Sequence, residues 1–389
     1  MTSPWEAITD RPSPRLAVRR LTLTDFRNYS HLRLETDVRP VVLSGPNGAG
    51  KTNLLEALSL LAPGRGMRRA ALADLARRRP DGGGTWAVAA SLDGPEGRIE
   101  IGTGREAGHD RRTVRLDGRP VKAVALADAI SALWLTPAMD RLFTDGAGGR
   151  RRFLDRLVLG LESNHAREAA SYDHAMRERT RLLRRDDGER RNRDLGWLGA
   201  LEDSMARHGI AMAAARRRAV TVLDEACRQA GGPFPAARLA LAGEVEGWLD
   251  EMDVPDAEEK LRSVLAASRP RDEAARAATH GPHRTDLAVR HADRDMPAEQ
   301  CSTGEQKAVL VRIVLAQARM RTAVRGVAPL LLLDEVAAHL DRVRRAALFD
   351  ELSGLTAQSW MTGTDAEAFA EFGDRAQFFR VTDATVAPV

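Results

Sequence analysis

Eight consecutive residues, Gly45-Pro46-Asn47-Gly48-Ala49-Gly50-Lys51-Thr52, match the pattern G-x-x-x-x-G-K-[ST]. Glycines at the bends let such a loop curl until its backbone N–H groups converge on a phosphate chain. The lysine then reaches the β- and γ-phosphates, and the hydroxyl of Thr52 ligates Mg²⁺. A second stretch far downstream also bears chemistry. Ala328-Pro329 and four leucines run into Asp334-Glu335. An apolar run of this kind reads as a buried parallel strand that delivers two carboxylates to its C-terminal end, the sheet edge where ligands bind. Asp334 is placed there to hold the Mg²⁺ shell, usually through water. Glu335 is placed to polarise water attacking a γ-phosphate. An acidic pair after an apolar strand also serves as a helix cap. The phosphate loop upstream favours the catalytic reading.

A third motif, Cys301-Ser302-Thr303-Gly304-Glu305-Gln306-Lys307, precedes the apolar helical run AVLVRIVLAQARM. Ser302 suits a helix N-cap, and Glu305 three residues on completes a capping box. The same residues admit a second role that is compatible with the first. Phosphate loop, S-x-G-E/Q-Q, acidic strand and then Leu340-Asp341 is the order found in ABC-type ATPases. In that class the signature, here Ser302, Gly304, Glu305 and Gln306, contacts the γ-phosphate bound by a second subunit, with Asp341 in the following D-loop.

The elements that must position these residues are legible around them. A short apolar strand, Pro40-Val41-Val42-Leu43-Ser44, enters the phosphate loop, and residues 53–61 leave it with helical spacing, stopping at Pro63-Gly64. Leu16-Val18 with Leu21-Leu23, and then His31 to Leu34, alternate as half-exposed strands. TWAVAASLDG, GRIEIGTG and RTVRLDGRPV read as further strands with glycine-bearing turns. From Arg150 to about Gln229 the chain is helical, charged and nearly free of proline, with an Arg/Asp/Glu-dense turn around 184–194. Two long helices folded back on each other are expected to form a compact arm. LALAGEVEGW is expected as a strand and AEEKLRSVLAASRPRDEAARAA as a helix. The expected fold is α/β: an ABC-type, SMC-like P-loop ATPase head, split over 16–149 and 276–389, with an α-helical arm, 150–275, inserted. Residues 1–15 read as a loose extension.

Composition bounds the alternatives. The chain has 389 residues, 43% hydrophobic and 29% charged, enough for a large core or two modest ones. No apolar run reaches the ~20 residues of a membrane span, and the first residues lack a secretory apolar stretch. Two distant cysteines argue against a disulfide scaffold or a zinc module. A cytoplasmic, non-membrane location is expected. Net charge is +4, yet only four of the 59 basic residues are lysines, Lys51, Lys122, Lys260 and Lys307. The arginine skew reads as a GC-rich genome, against which a retained lysine points to a required ammonium. Arg65, Arg68, Arg69, Arg77, Arg78 and Arg79 are the best candidates for DNA phosphate contact, with Arg150–Arg152 and Arg177–Arg193 behind them. A solvated helix face explains any one cluster equally well. No base-reading module is present, and 4% aromatic residues is thin for a stacking platform, so backbone and shape recognition of duplex fits better.

Over most of its length the chain resembles the RecF family, ABC-type ATPases of bacterial recombinational gap repair. The similarity is carried by LTLTDFRNY, GPNGAGKTNLLEAL, LTPAMDRLFTDGAGGRRRFLDRLV, Gly281-Pro282-His283-Arg284-Thr285-Asp286-Leu287, STGEQK and LLLDEVAAHLD, in that order. The resemblance implies ATP and Mg²⁺ as cofactors and an ATP-dependent homodimer on double-stranded or gapped DNA with single-stranded regions. It further implies RecR, with RecO, as partners that promote RecA loading at gaps, and roles in replication, recombination and the SOS response to DNA damage. Hydrolysis is expected to be slow and to reset the clamp, near the nucleoid. Three departures stand out. Thr285 occupies the family's aspartate position, no glutamine lies near Thr136–Asp140, and Met361-Thr362-Gly363-Thr364-Asp365 replaces a switch histidine, leaving Thr362 and Thr364 as candidates. Other classes fit less well. Roughly 250 residues separate Lys51 from Ser302 without sustained heptads, too few for the long coiled coil of another SMC-like chromosome ATPase. A transporter subunit would carry the glutamine and histidine. A DNA-binding scaffold with a degenerate site would have lost Lys51, Thr52, Asp334 or Glu335. An OLD-type nuclease would need a further carboxylate-rich domain.

Overall fold

The computed structural model describes residues 16–78, 84–109, 111–162, 164–184, 191–229, 231–355 and 357–389. They fall into two compact units. The first takes in the chain up to Arg141, Gly231–Pro235 and Ser302–Val389, and the second Leu142–Ala230 and Ala236–Cys301.

Two six-stranded sheets build the first unit. One is antiparallel, in the order Tyr29–Glu35, Ala17–Phe26, Trp86–Gly94, Gly97–Arg105, Thr113–Leu116, Arg119–Pro120. Its register opposes Leu21 to Leu34 and Leu23 to Leu32, so the alternation legible in sequence places four leucines on one buried face. The second sheet runs Thr385–Pro388, Gln377–Thr382, Val41–Ser44, Ser359–Gly363, Leu330–Leu333, Ala132–Leu135. All its pairings are parallel except the terminal hairpin. Every residue of Val41–Ser44 and Leu330–Leu333 is buried, as strands covered on both faces require. Leu54, Leu55 and Leu58 of the helix Lys51–Ser59 join one core with Leu330, Leu332, Trp360, Leu21 and Val88. Each such side chain contributes about 1.5–3 kcal/mol of burial.

Strand order decides where the chemistry meets. Ser359–Gly363 lies between the strand that enters the phosphate loop and the strand that ends in the acidic pair. Register pairs Gly363 with Ser44 and Met361 with Leu333. The loop, Thr362 and Asp334-Glu335 therefore leave one sheet edge side by side. The helix Thr303–Arg325 is buried on all sides from Gln306 to Ala318. Its Arg312 donates to the carbonyls of Gly231 (3.0 Å), Pro235 (3.4 Å) and Phe234, which ties the short excursion 231–235 to this unit.

The second unit holds the helices Ala147–Leu159, His165–Leu183, Arg191–Gln229, Glu244–Glu251, Val254–Ala267 and Arg269–Ala275 with a sheet of Met296–Pro297, Asp286–His291 and Ala237–Ala242. His165–Leu183 and Arg191–Gln229 lie against each other as expected, around Tyr172, Met205, Ile210 and Leu261. Gly209 permits the approach, since a Cβ there would sit 3.1 Å from the Tyr172 ring. Beneath them Arg179, fully buried, donates to Glu202 (2.9 Å), Asp272 (2.6 Å) and the Leu265 carbonyl (2.6 Å).

Several expectations change. Residues 276–301 belong to the second unit, because Asp286–His291 pairs along its whole length with Ala237–Ala242. That unit also begins at Leu142, since Arg150 closes the preceding turn onto the Leu142 and Phe143 carbonyls. LALAGEVEGW is strand only to Ala242, and EVEGWLDE is a helix burying Val245, Trp248 and Leu249. The next expected helix divides at Ser268, where Pro270 starts a new one. The extension 1–15 and residues 185–190 of the expected turn lie outside the described residues.

Candidate functional site: a phosphate loop beside two carboxylates

Gly45 and Gly50 are required by geometry. Gly45 has φ +148 and a Cβ there would meet the Val381 carbonyl oxygen at 2.1 Å. Gly50 has φ +114, and its missing Cβ leaves room for Asn28 and Tyr29, each 2.6 Å from that point. Both neighbours grip the loop. Asn28 Nδ2 donates to the Ala49 carbonyl (3.2 Å) and accepts at Oδ1 from Asn53 Nδ2 (2.8 Å), while Tyr29 OH donates to the Gly50 carbonyl (3.2 Å). Arg27 beside them makes a bidentate pair with the buried Glu56, 2.8 Å at each nitrogen. The hairpin turn 26–29 thus buttresses the loop, a role the sequence reading missed. The contact is tertiary, and no local pattern announces it.

The helix Lys51–Ser59 starts at Gly50 with no side-chain cap and no acidic residue in its first turn. Its first amides are left for an external anion, which is how a phosphate fits. Lys51 is buried and its Nζ donates to the carbonyls of Gly45 (2.6 Å) and Pro46 (2.9 Å), arched over the loop. Burial lowers its pKa from the usual lysine value, and Glu335 and Asp334 oppose that shift by their charge. Pro46, Asn47 and Gly48 form the exposed rim, and Ala49 is buried.

Thr52 Oγ1 donates to Asp334 Oδ1 at 3.0 Å, so the two expected metal ligands adjoin. A hydroxyl and a carboxylate oxygen at that spacing suit a hard, oxygen-seeking divalent ion that keeps several waters. Thr362 Oγ1 donates to the same Asp334 oxygen at 2.7 Å and accepts from the Glu335 N–H at 2.8 Å. Thr362 is fully buried and committed to these partners, whereas Thr364 is exposed. Glu335 is half-buried and adopts φ +49, a left-handed conformation uncommon for a residue with a side chain. Neither Asp334 nor Glu335 caps a helix. That task falls to Asp341, whose Oδ1 accepts from the Arg344 N–H (2.8 Å) at the start of Arg342–Gly354.

The signature residues open the helix Thr303–Arg325 through a complete capping box. Ser302 N donates to Glu305 Oε2 (3.0 Å), and Glu305 N donates to Ser302 Oγ (3.4 Å). Ser302 is exposed, Gly304 and Glu305 are half-buried, and Gln306 is buried. Gln306 therefore supports the helix from below, and Ser302 presents itself at the tip. Gly304 lies near the segment leading to Asp341, its Cβ position 3.5 Å from the His339 carbonyl oxygen.

The basic clusters separate. Arg65, Arg69 and Arg78 are exposed, Arg77 is half-buried, and Arg68 is drawn to Asn53 (3.0 Å) and Glu56 (3.6 Å) on the phosphate-loop helix. Arg79 lies outside the described residues. These arginines stand on irregular chain around the short turn Leu72–Leu75, which is not a solvated helix face. Arg150 and Arg151 are committed internally, Arg150 to Asp286 (2.8 and 2.7 Å) and Arg151 to the Thr285 carbonyl (3.0 Å). Arg179, within the third cluster, is the buried network already described. In the G-P-H-R stretch Gly281 and Pro282 are buried and His283 half-buried, while Arg284 is exposed. Tyr172 OH donates to His283 Nδ1 (2.7 Å), Nε2–H donates to the Ala278 carbonyl (2.9 Å), and Thr285 donates to Glu246 (2.6 Å).

A phosphate loop and an acidic strand on one parallel sheet edge, an antiparallel sheet beside it and a capped signature helix define a class: the ABC-type ATPase head of the SMC kind. Residues 17–386 match the family model described as the RecF/RecN/SMC N terminal domain. A Smc head from Pyrococcus furiosus shares the fold at TM-score 0.54 and 15% identity, over 96% of each chain. A solved structure described as the recombination mediator protein RecF with ATP, in the RecFOR pathway, superposes at TM-score 0.83 with 20% identity, over 96% of this chain and 98% of that one. The DNA replication and repair protein RecF of Rhizobium etli is 51% identical over 377 residues, 96% of this chain and 99% of that protein. That of Mesorhizobium japonicum is 50% identical over 376 residues, 95% and 97% respectively. The chain belongs to the RecF family. No described helix is long and apolar enough to cross a membrane.

Proposed function

We propose that this chain is an ATP-dependent DNA-binding protein of replication and recombinational repair, an ATPase whose bound nucleotide is closed between two copies. The observation that carries the reading is the meeting of Lys51, Thr52, Asp334, Glu335 and Thr362 at one sheet edge, with Ser302 exposed at the tip of a separate helix. Gly45 to Lys51 hold the phosphates through amides and one ammonium. Thr52 and Asp334 would hold Mg²⁺, which would supply charge neutralisation to the phosphates. Glu335 orients the attacking water. Ser302 and Gly304 of one copy meet the γ-phosphate held by the other, and Asp341 lies in the intervening D-loop.

The relatives described as DNA replication and repair proteins and the ATP-bound recombination mediator of the RecFOR pathway support the same reading. In it the dimer clamps duplex next to a single-strand gap, RecR with RecO engages it, and RecA is loaded there, in the cytoplasm at the nucleoid. Of the described arginines in the 65–79 cluster, the exposed Arg65, Arg69 and Arg78 are the ones that meet DNA phosphates in this reading. Turnover is slow, and hydrolysis sets the lifetime of the clamp.

Light scattering with and without ATP-Mg²⁺, with gapped duplex present or absent, tests this. Wild type is expected to dimerise with ATP and to persist longest on duplex-containing DNA. Lys51→Ala is expected to stay monomeric under every condition, and ATP-dependent dimers in that variant would remove the sandwich model.

A further inference from the structure

Lys307 is one of four lysines among 59 basic residues, and its side chain is 2% exposed. Burying an ammonium costs several kcal/mol unless partners repay it, and a methionine would fill the same helical position without that cost. What it touches is informative. Nζ lies 3.1 Å from the Glu335 carbonyl oxygen and 3.4 Å from Asp140 Oδ2. The other Asp140 oxygen is buried without a hydrogen-bond partner, so the pair falls short of a fully satisfied structural salt bridge.

The carbonyl contact matters more. A left-handed residue with a side chain stores about 1–3 kcal/mol and persists only when its surroundings fix it. Two side chains and one turn bond fix Glu335: Thr362 takes its N–H (2.8 Å), and Lys307 (3.1 Å) shares its carbonyl with the Ala338 N–H (3.1 Å). Thr362 comes from the neighbouring strand of the same sheet. Lys307 comes from the signature helix, five positions beyond Ser302, and Asp140 comes from the segment Pro137–Arg141, which lacks the glutamine that general ABC-type ATPases carry there. The hydrolytic carboxylate of one site is thus attached, through its own peptide, to the helix that serves the other site.

We propose that Lys307 is a positioning residue for hydrolysis. It holds the Glu335 peptide in its left-handed geometry and passes the seating of Ser302 on a second copy's γ-phosphate to the carboxylate that orients water. The inference rests on the ATP-sandwich reading above.

The full-length chain is assayed for steady-state ATP hydrolysis on gapped duplex and for ATP-dependent dimerisation by light scattering, in wild type, Lys307→Met, Lys307→Arg, Glu335→Gln and the Lys307→Met/Glu335→Gln double variant. Lys307→Met is expected to lower kcat at least about tenfold with KM for ATP within about twofold, and to lengthen the dimer's lifetime. Lys307→Arg keeps the charge and recovers part of the rate. The double variant is expected to hydrolyse no more slowly than Glu335→Gln alone, because the lysine acts through that residue. Should Lys307→Met not fold, Asp140→Asn is read instead, with kcat lowered and KM unchanged. A wild-type kcat in Lys307→Met, a loss of ATP binding that matches the loss of rate, or a full extra loss on top of Glu335→Gln overturns the proposal. A folded wild type that neither hydrolyses nor dimerises overturns the sandwich reading and this inference together. Normal wild-type turnover with an unaffected Lys307→Met removes the coupling alone.

Discussion

Thr362→Val isolates one hydroxyl. Valine keeps nearly the same shape in a fully buried position, so little packing is lost. What disappears is a hydrogen bond of 2.7 Å to the Asp334 carboxylate and the acceptor, at 2.8 Å, for the Glu335 N–H. A hydrogen bond to a charged group contributes about 1.5–3 kcal/mol, and a buried N–H left without a partner costs about 1–3 kcal/mol. The two share one oxygen and do not add, and Asp334 keeps its bond from Thr52, so about 3 kcal/mol is the working figure. Expressed wholly at the transition state this is about 150-fold in rate. Part of it also loosens the resting sheet edge, so kcat should fall between about tenfold and about 100-fold, with the unfolding midpoint lower by about 5 °C. Thr364→Val, exposed, should stay within about 0.5 kcal/mol of wild type. Steady-state hydrolysis and thermal denaturation of the two variants decide the matter. Unchanged turnover in Thr362→Val with loss in Thr364→Val would show that the exposed threonine senses the phosphate and that Thr362 is passive.

Three further outcomes follow from the same contacts. Asn28→Ala removes two hydrogen bonds that brace the phosphate loop, and should weaken ATP binding by about five- to 30-fold, read by calorimetry, while the unfolding midpoint barely moves. Arg65→Ala and Arg69→Ala should each reduce the slope of log affinity for duplex against log salt by about 0.9, and an unchanged slope would place the DNA elsewhere. In the second unit, burial would raise the carboxyls of Asp155, Asp272 and Asp286. Their bonds with His165 and Arg216, with Thr279 and Arg179, and with Arg150 override it and leave all three below the ordinary aspartate value. A carboxyl depressed in the folded state stabilises above its unfolded pKa of about 3.9, and that stability is lost as pH falls through the folded value. The urea midpoint followed by circular dichroism should therefore hold from about pH 7 to 5 and drop below about pH 4. A midpoint as high at about pH 3 as at neutrality would deny these pairs any weight.

The parts of the fold that the sequence discloses are those whose signal is local. Alternation in Leu21-Leu23 and Leu32-Leu34, the four leucines before Asp334 and the glycine pattern before Lys51 each state their own geometry. The capping box at Ser302 does the same. What stays hidden depends on pairing across long separations. Nothing in EVEGWLDE says that the strand before it has ended. The boundary at 276 moves because Asp286–His291 finds a partner some fifty residues upstream in Ala237–Ala242. Charge is the least legible feature. Arg150, Arg151 and Arg179 read like Arg65 and Arg69 in a list of basic residues, yet the first three are committed to internal acceptors. Burial, which only the fold supplies, tells a structural arginine from one open to a phosphate.

The sequence offers Thr362 beside Thr364 as a candidate at the switch position and Lys307 as a retained ammonium, and their partners stay hidden for a related reason: each acts on backbone or on another residue's carboxylate. Together they make the site a connected path. Thr52 bonds Asp334, Asp334 bonds Thr362, Thr362 holds the Glu335 N–H, and Lys307 holds the Glu335 carbonyl from the signature helix. If the phosphate loop and the signature were independent devices, variants at Thr52 and Lys307 would add in free energy. The shared path requires that they do not. Removing either end loosens the same path through Asp334, Thr362 and Glu335, and removing the second should then cost less than it does alone, by about 0.5 kcal/mol or more, above the scatter of about 0.3–0.5 kcal/mol for uncoupled sites. Stability of one copy reads this coupling without nucleotide, so a cycle of Thr52→Val and Lys307→Met in urea separates a path built into the fold from one assembled only by the dimer.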